Sequence, residues 1–140
     1  MREPRTVVIG VLNDIHNLGV MVLRHALDKD GFKVVNAGAM LTHEDFIGAA
    51  IETSASALLV SSSYGHAAID TEGLREKCVE AGLADIIIYI GGNLTVSRQK
   101  QSWDDIETTF KGLGFDRVYP QETLPTRVIA DLKHDLNIEG

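Results

Sequence analysis

A single cysteine, Cys78, leaves this chain with no internal disulfide and no thiolate cage for a metal. Basic residues are scarce as well: 13 Lys and Arg stand against 20 Asp and Glu, a net charge of −7. Binding a polyanion needs clustered cations, so neither nucleic acid nor an anionic membrane surface is an expected partner. Long apolar runs are also missing. Residues 7–12 form an apolar stretch far too short to cross a bilayer, and the charged start Met1-Arg2-Glu3-Pro4-Arg5 is unlike a secretory signal. The expected setting is reducing and cytoplasmic. Two phosphate-loop signatures, G-x-x-x-x-G-K-[ST] and G-x-G-x-x-G, do not occur.

What is there is an ordinary globular composition, 44% apolar and 24% charged. At 140 residues the chain suits one domain, residues 1–140, able to bury a core without staples. Runs at 6–12, 33–38, 57–62, 86–91 and 117–119 read as strands. Most are apolar throughout, as strands buried on both faces of a parallel sheet are. Helical patterns separate them. Thr42-His43-Glu44-Asp45 has the capping-box form, followed by an apolar stripe of Phe46, Ile47, Ala50 and Ile51. Leu74 and Cys78 fall one turn apart, and Trp103, Ile106, Phe110 and Leu113 share a helix face. Pro125 opens a last helix carrying Val128, Ile129, Leu132 and Leu136. Gly31, Gly82 and Gly114 sit just past helical runs, where a left-handed cap residue is expected. The alternation predicts an α/β domain: a doubly wound, flavodoxin-like (Rossmann-like) five-stranded parallel sheet, strand order 2-1-3-4-5.

In such a sheet ligands bind at the carboxyl ends of the strands, near the switch point between strands one and three. Three unusual segments fall there. They are Asn13-Asp14-Ile15-His16-Asn17-Leu18-Gly19 after strand one, Ser61-Ser62-Ser63-Tyr64-Gly65 after strand three and Gly91-Gly92-Asn93-Leu94-Thr95 after strand four. The predicted order makes these strands neighbours, so the segments line one crevice. Asp14 and His16 lie two apart in a loop. At that spacing a carboxylate can accept the proton of one ring nitrogen, which fixes the tautomer and turns a more basic nitrogen toward a ligand. Imidazole suits cobalt and other first-row metals. One histidine cannot hold a bare ion, but a metal already held by a macrocycle needs only one axial ligand. Gly19 lets another group approach the backbone. Taken alone, an Asp-x-His pair is more often a surface or capping arrangement, and runs of Ser and Gly are ordinary in loops. His25 and His134 read as solvent-facing, His43 as first-turn polarity, His66 as a loop residue, and Cys78 and Trp103 as packing.

The stretch Asp14-Ile15-His16-Asn17-Leu18-Gly19 resembles the D-x-H-x-x-G motif of cobalamin-dependent isomerases and corrinoid methyl-transfer proteins. Those families also carry a serine after strand three and a Gly-Gly pair after strand four, here Ser61 and Gly91-Gly92. Longer stretches, EDFIGAAIET at 44–53, GLREKCVEAG at 73–82 and GFDRVYP at 114–120, resemble the small, cobalamin-binding subunit of glutamate mutase (methylaspartate mutase). The likeness covers nearly the whole chain. Ser63, where relatives carry a larger apolar residue, and a slightly long segment at 96–102 depart from it.

The resemblance implies adenosylcobalamin bound with its own base displaced, His16 on the cobalt, and the nucleotide tail in a slot between the sheet and the first helix. It carries cofactor contacts onto Asn13, Asp14, Ile15, His16, Asn17, Gly19, Ser61, Ser62, Ser63, Gly91, Gly92, Asn93, Leu94, Thr95, Val96 and Ser97. It implies no catalytic residue in this chain. Substrate groups would belong to a larger subunit, in a heterotetramer of two small and two large chains. That assembly would interconvert L-glutamate and threo-3-methylaspartate by radical carbon-skeleton rearrangement. No set of arginines suited to clamping a dicarboxylate is apparent in the sequence, which agrees with that division. The segment from Asn13 to about Leu23, with weak helix formers and an apolar second half, is expected to gain order when the tail arrives. A bare domain fits a two-component mutase better than another carbon-skeleton mutase or a corrinoid methyl-transfer protein, which commonly carry further domains. More distant is a receiver-type signalling domain, which needs an aspartate where strand three here ends in Ser61. A flavodoxin-type carrier needs hydroxyls at 13–19, where there is no Ser or Thr.

Overall fold

A computed structural model describes residues 5–12, 18–62, 67–92, 94, 102–120 and 123–138. Strand β1 (Thr6–Leu12) is buried from Val7 onward and takes an interior place in the sheet. It pairs in parallel with β2 (Lys33–Leu41) on one side and β3 (Ala57–Ser62) on the other. Beyond β3 lie β4 (Ile87–Gly92) and β5 (Arg117–Val118), also parallel. The order is β2-β1-β3-β4-β5, as the alternation predicts.

Successive strand residues face opposite sides, so two cores form. Val7, Ile9, Leu59 and Tyr89 pack with Leu27 of α1 (Leu18–Lys29) and Leu132 of α6 (Pro125–Asp135). On the other face Val8, Leu58 and Ile88 meet Phe46, Leu74 and Phe110. Those three belong to α2 (His43–Thr53), α4 (Leu74–Glu80) and α5 (Trp103–Gly112). A short α3 (Ala67–Thr71) precedes α4 and was not legible in the sequence pattern. Among the described residues no helix is long and apolar enough to cross a membrane.

Local chemistry sets the element ends. The Thr42 hydroxyl accepts from the Asp45 amide at 3.2 Å, while the Asp45 carboxylate accepts from the Thr42 amide at 2.9 Å, completing the capping box of α2. Ile51 departs from the predicted stripe. It falls on the solvent side of α2 and is exposed, leaving Phe46, Ile47 and Ala50 as the buried face. Gly31, Gly82 and Gly114 have positive φ, the left-handed geometry expected of them. Strand β2 runs three residues past the predicted end. Positive φ at Gly38 and Met40 and two register shifts against β1 let pairing resume at Leu12–Leu41. Strand β4 starts and ends one residue later than expected, and β5 stops at Val118 rather than Tyr119.

Candidate cofactor site

Parallel register brings three strand ends level. Val11 stands beside Ser61, Ser61 beside Gly91, and Ser62 beside Gly92. Between these ends and the face covered by α1 and α6 lies a cavity of about 380 Å³. That is within the range of about 300–1,000 Å³ usual for small-molecule sites. The sheet contributes Ile9, Leu59, Ser61, Tyr89, Gly91 and Gly92 to its wall. Helix α1 contributes Val20, Val22 and Leu23, and the opposite side is built by Tyr119, Pro120, Thr123, Pro125 and Val128. The lining is apolar apart from a few hydroxyls.

The glycines at the end of β4 have different physical reasons. Gly92 has φ +107, and a Cβ there would stand 2.2 Å from the Ser62 carbonyl oxygen. Only glycine permits β3 and β4 to approach so closely in that conformation. At Gly91 a Cβ would meet Tyr119 at an ordinary 3.6 Å, so packing does not demand glycine there. Its missing side chain leaves that part of the wall bare.

Two buried tyrosines, Tyr89 and Tyr119, meet edge to face with ring centroids 5.5 Å apart. Both hydroxyls donate to carboxylates of α6. Tyr89 bonds to Asp135, and Tyr119 donates to Asp131 at 2.7 Å. Arg117 grips Asp135 with two bonds, at 2.7 and 2.9 Å, and lies 3.5 Å from Asp131. Burial, reinforced by the hydrogen bond to Asp135, pushes the Tyr89 phenol far above its ordinary range. Burial and then Asp131 do the same to Tyr119. The Arg117 hydrogen bond holds the Asp135 carboxyl below its usual value. Both phenols are therefore neutral donors at neutral pH.

Of the residues predicted from sequence, Ser61, Gly91 and Gly92 line this cavity. Gly19 lies in the first turn of α1. Ser62 and Leu94 are buried but are not among the lining residues, and Leu94 packs in the core on the opposite face of the sheet. Asn13, Asp14, Ile15, His16, Asn17, Ser63, Asn93, Thr95, Val96 and Ser97 lie outside the described residues. His25 and His134 are solvent-exposed, and His43, at the start of α2, meets the Asp70 carbonyl through Nε2. Sequence reasoning missed Tyr89, Tyr119, Pro120 and Thr123 as parts of the wall. One signal was available: Tyr89 is the lone polar-tipped residue in an otherwise isoleucine run, two residues before the glycine pair.

Comparison with known proteins adds what geometry alone does not. Residues 4–113 match the B12 binding domain family. The glutamate mutase sigma subunit of Clostridium tetani is 53% identical over 138 residues, covering 98% of this chain and 99% of that one. The chain belongs to the glutamate mutase sigma-subunit family. A relative of the same description from Escherichia coli O157:H7 is 46% identical over 133 residues, 94% of this chain and 88% of its own length. Among solved structures, a cobalamin-binding protein from Desulfitobacterium hafniense DCB-2 superposes with a TM-score of 0.76 at 16% identity. That match covers 95% of this chain and 60% of the other, and at such identity it bears on the fold alone.

Proposed function

We propose that this chain holds adenosylcobalamin with the cofactor's own base displaced, His16 as the axial ligand, and the nucleotide tail in the cavity beside β1, β3 and β4. Membership of the sigma-subunit family makes the chain the cobalamin-binding subunit of glutamate mutase, an isomerase. The finer reading is carried by one observation, the apolar cavity of about 380 Å³ beside the strand from which residues 13–17 depart. Its walls suit the fit. Flat apolar surfaces accept a heteroaromatic base, while the Ser61 and Thr123 hydroxyls serve polar groups attached to it.

The chemistry supplied by the bound cofactor is homolysis of its cobalt–carbon bond, which provides the radical. The chain's own residues bind and orient. Asp14 would accept the proton of one nitrogen of His16, which would leave the other free to hold the metal. Ser61, Gly91 and Gly92 keep the slot open, and Tyr89, Leu59 and Val128 keep water out of it. The groups that hold glutamate belong to a larger partner, in an assembly of two small and two large chains in the cytoplasm. Purified chain with adenosylcobalamin and L-glutamate therefore gives no 3-methylaspartate until the larger subunit is added. Activity then rises with the ratio of the two chains. Rearrangement by this polypeptide and cofactor alone would overturn the division of labour.

A further inference from the structure

The slot has one wall that strand pairing does not position. Its sheet side is fixed by strand pairing, but Pro125 and Val128 of α6 face it across the cavity itself. Leu132 packs that helix on the sheet, and a second set of contacts bears on its distance. About one and two helical turns onward from Val128, α6 is tied to the sheet at two points on a single face, Asp131 and Asp135. Each receives a tyrosine hydroxyl from a residue that also lines the slot: Tyr119 to Asp131 at 2.7 Å, and Tyr89 to Asp135. Arg117 on β5 clamps Asp135 through two nitrogens and reaches Asp131, so both carboxylates are held from the sheet side. The side chains of Asp131 and Asp135 are only 13% and 21% exposed, which shields the bonds from competing water. Hydrogen bonds to charged acceptors are the stronger kind, and a planar guanidinium fork adds direction.

We infer that Tyr89, Tyr119, Arg117, Asp131 and Asp135 form a positioning array that fixes the stand-off of α6 and so sets the width of the slot. The array rests on the reading of the cavity as the site of the nucleotide tail. It touches no reacting atom. Its effect falls on any corrinoid that carries a nucleotide tail and not on one without it.

The test compares two probes, cobalamin and cobinamide, the latter lacking the nucleotide tail. Affinities are measured by absorption titration for wild type, Tyr89→Phe, Tyr119→Phe and Asp135→Asn, with urea unfolding recorded for each. Phenylalanine keeps the ring in place and removes only the tie. Expected is a loss of roughly 3- to 30-fold in cobalamin affinity, the scale of a coupling transmitted through packed elements, with cobinamide binding unchanged. Equal losses for both probes would mean a merely structural role, and no loss for either would mean that the wall is set by other contacts. Either result overturns the inference while leaving the slot reading intact. If wild type itself binds both probes equally, the cavity does not hold the tail and the reading beneath the inference fails first. Should Asp135→Asn not fold, the two phenylalanine variants decide the matter alone.

Discussion

At the scale of single residues, glycine at position 92 is dictated by backbone and glycine at position 48 is not. Gly92→Ala forces a Cβ against the Ser62 carbonyl in a conformation that side chains rarely adopt. A cost of about 2–5 kcal/mol is expected from strain and overpacking together, read as a lower urea midpoint. Gly48 sits exposed within α2 with nothing within 4 Å of an added Cβ. Gly48→Ala should instead stabilise by about 0.5–1 kcal/mol. Destabilisation at 48, or indifference at 92, would contradict the geometry. Cys78 is buried, and desolvation raises its thiol pKa despite the nearby Arg75. It should therefore resist a thiol reagent until the chain is unfolded. Some of this was legible in the sequence. The Gly91-Gly92 pair and Ser61 were legible through their place at neighbouring strand ends and through the family resemblance, since runs of Ser and Gly alone are ordinary in loops. Tyr89 and Tyr119 were not, because a phenol in a buried strand reads as core, and only the fold reveals that its hydroxyl reaches α6. Leu94 follows the glycine pair in sequence, yet its side chain packs on the opposite side of the sheet from the slot.

Among the elements, those with strong local signals were legible and those shaped by neighbours were less so. The Thr42–Asp45 box predicts the start of α2 because both partners lie within one turn. Thr42→Ala should cost about 1 kcal/mol of stability, measured by denaturant unfolding. An unchanged midpoint would show that the cap adds nothing. Strand β2 was under-read because its continuation past Gly38 depends on bulged pairing with β1, which no local pattern encodes. Helix α1 is the element expected to respond most to binding. Met21 and Val22 are both 53% exposed, and Val20 is the one buried side chain of residues 20–23, while Val20, Val22 and Leu23 line the slot. Amides of residues 18–23 should exchange faster than those of 57–60 in the free protein and slow on adding cobalamin. Equal protection without cofactor would mean a turn already as stable as the central sheet.

For the molecule as a whole, acid should act through the α6 ties. Asp135 is held below its ordinary value of 3.8, chiefly by Arg117, so the unfolded chain takes up that proton more readily than the folded one. The stability it contributes is present above that value and is lost as pH falls through the lower, folded one. Wild type should lose stability more steeply than Asp135→Asn below about pH 4, and parallel curves would contradict the sign. The central claim of the proposed function is that this chain presents one histidine nitrogen, that of His16, to the metal of the cofactor. That claim meets its most direct test in the cob(II) form of bound cobalamin, read by electron paramagnetic resonance in protein labelled with nitrogen-15 histidine. The account predicts a nitrogen splitting that changes with the label and an effect of the label that is lost in His16→Gly. A splitting unaltered by the label would contradict it.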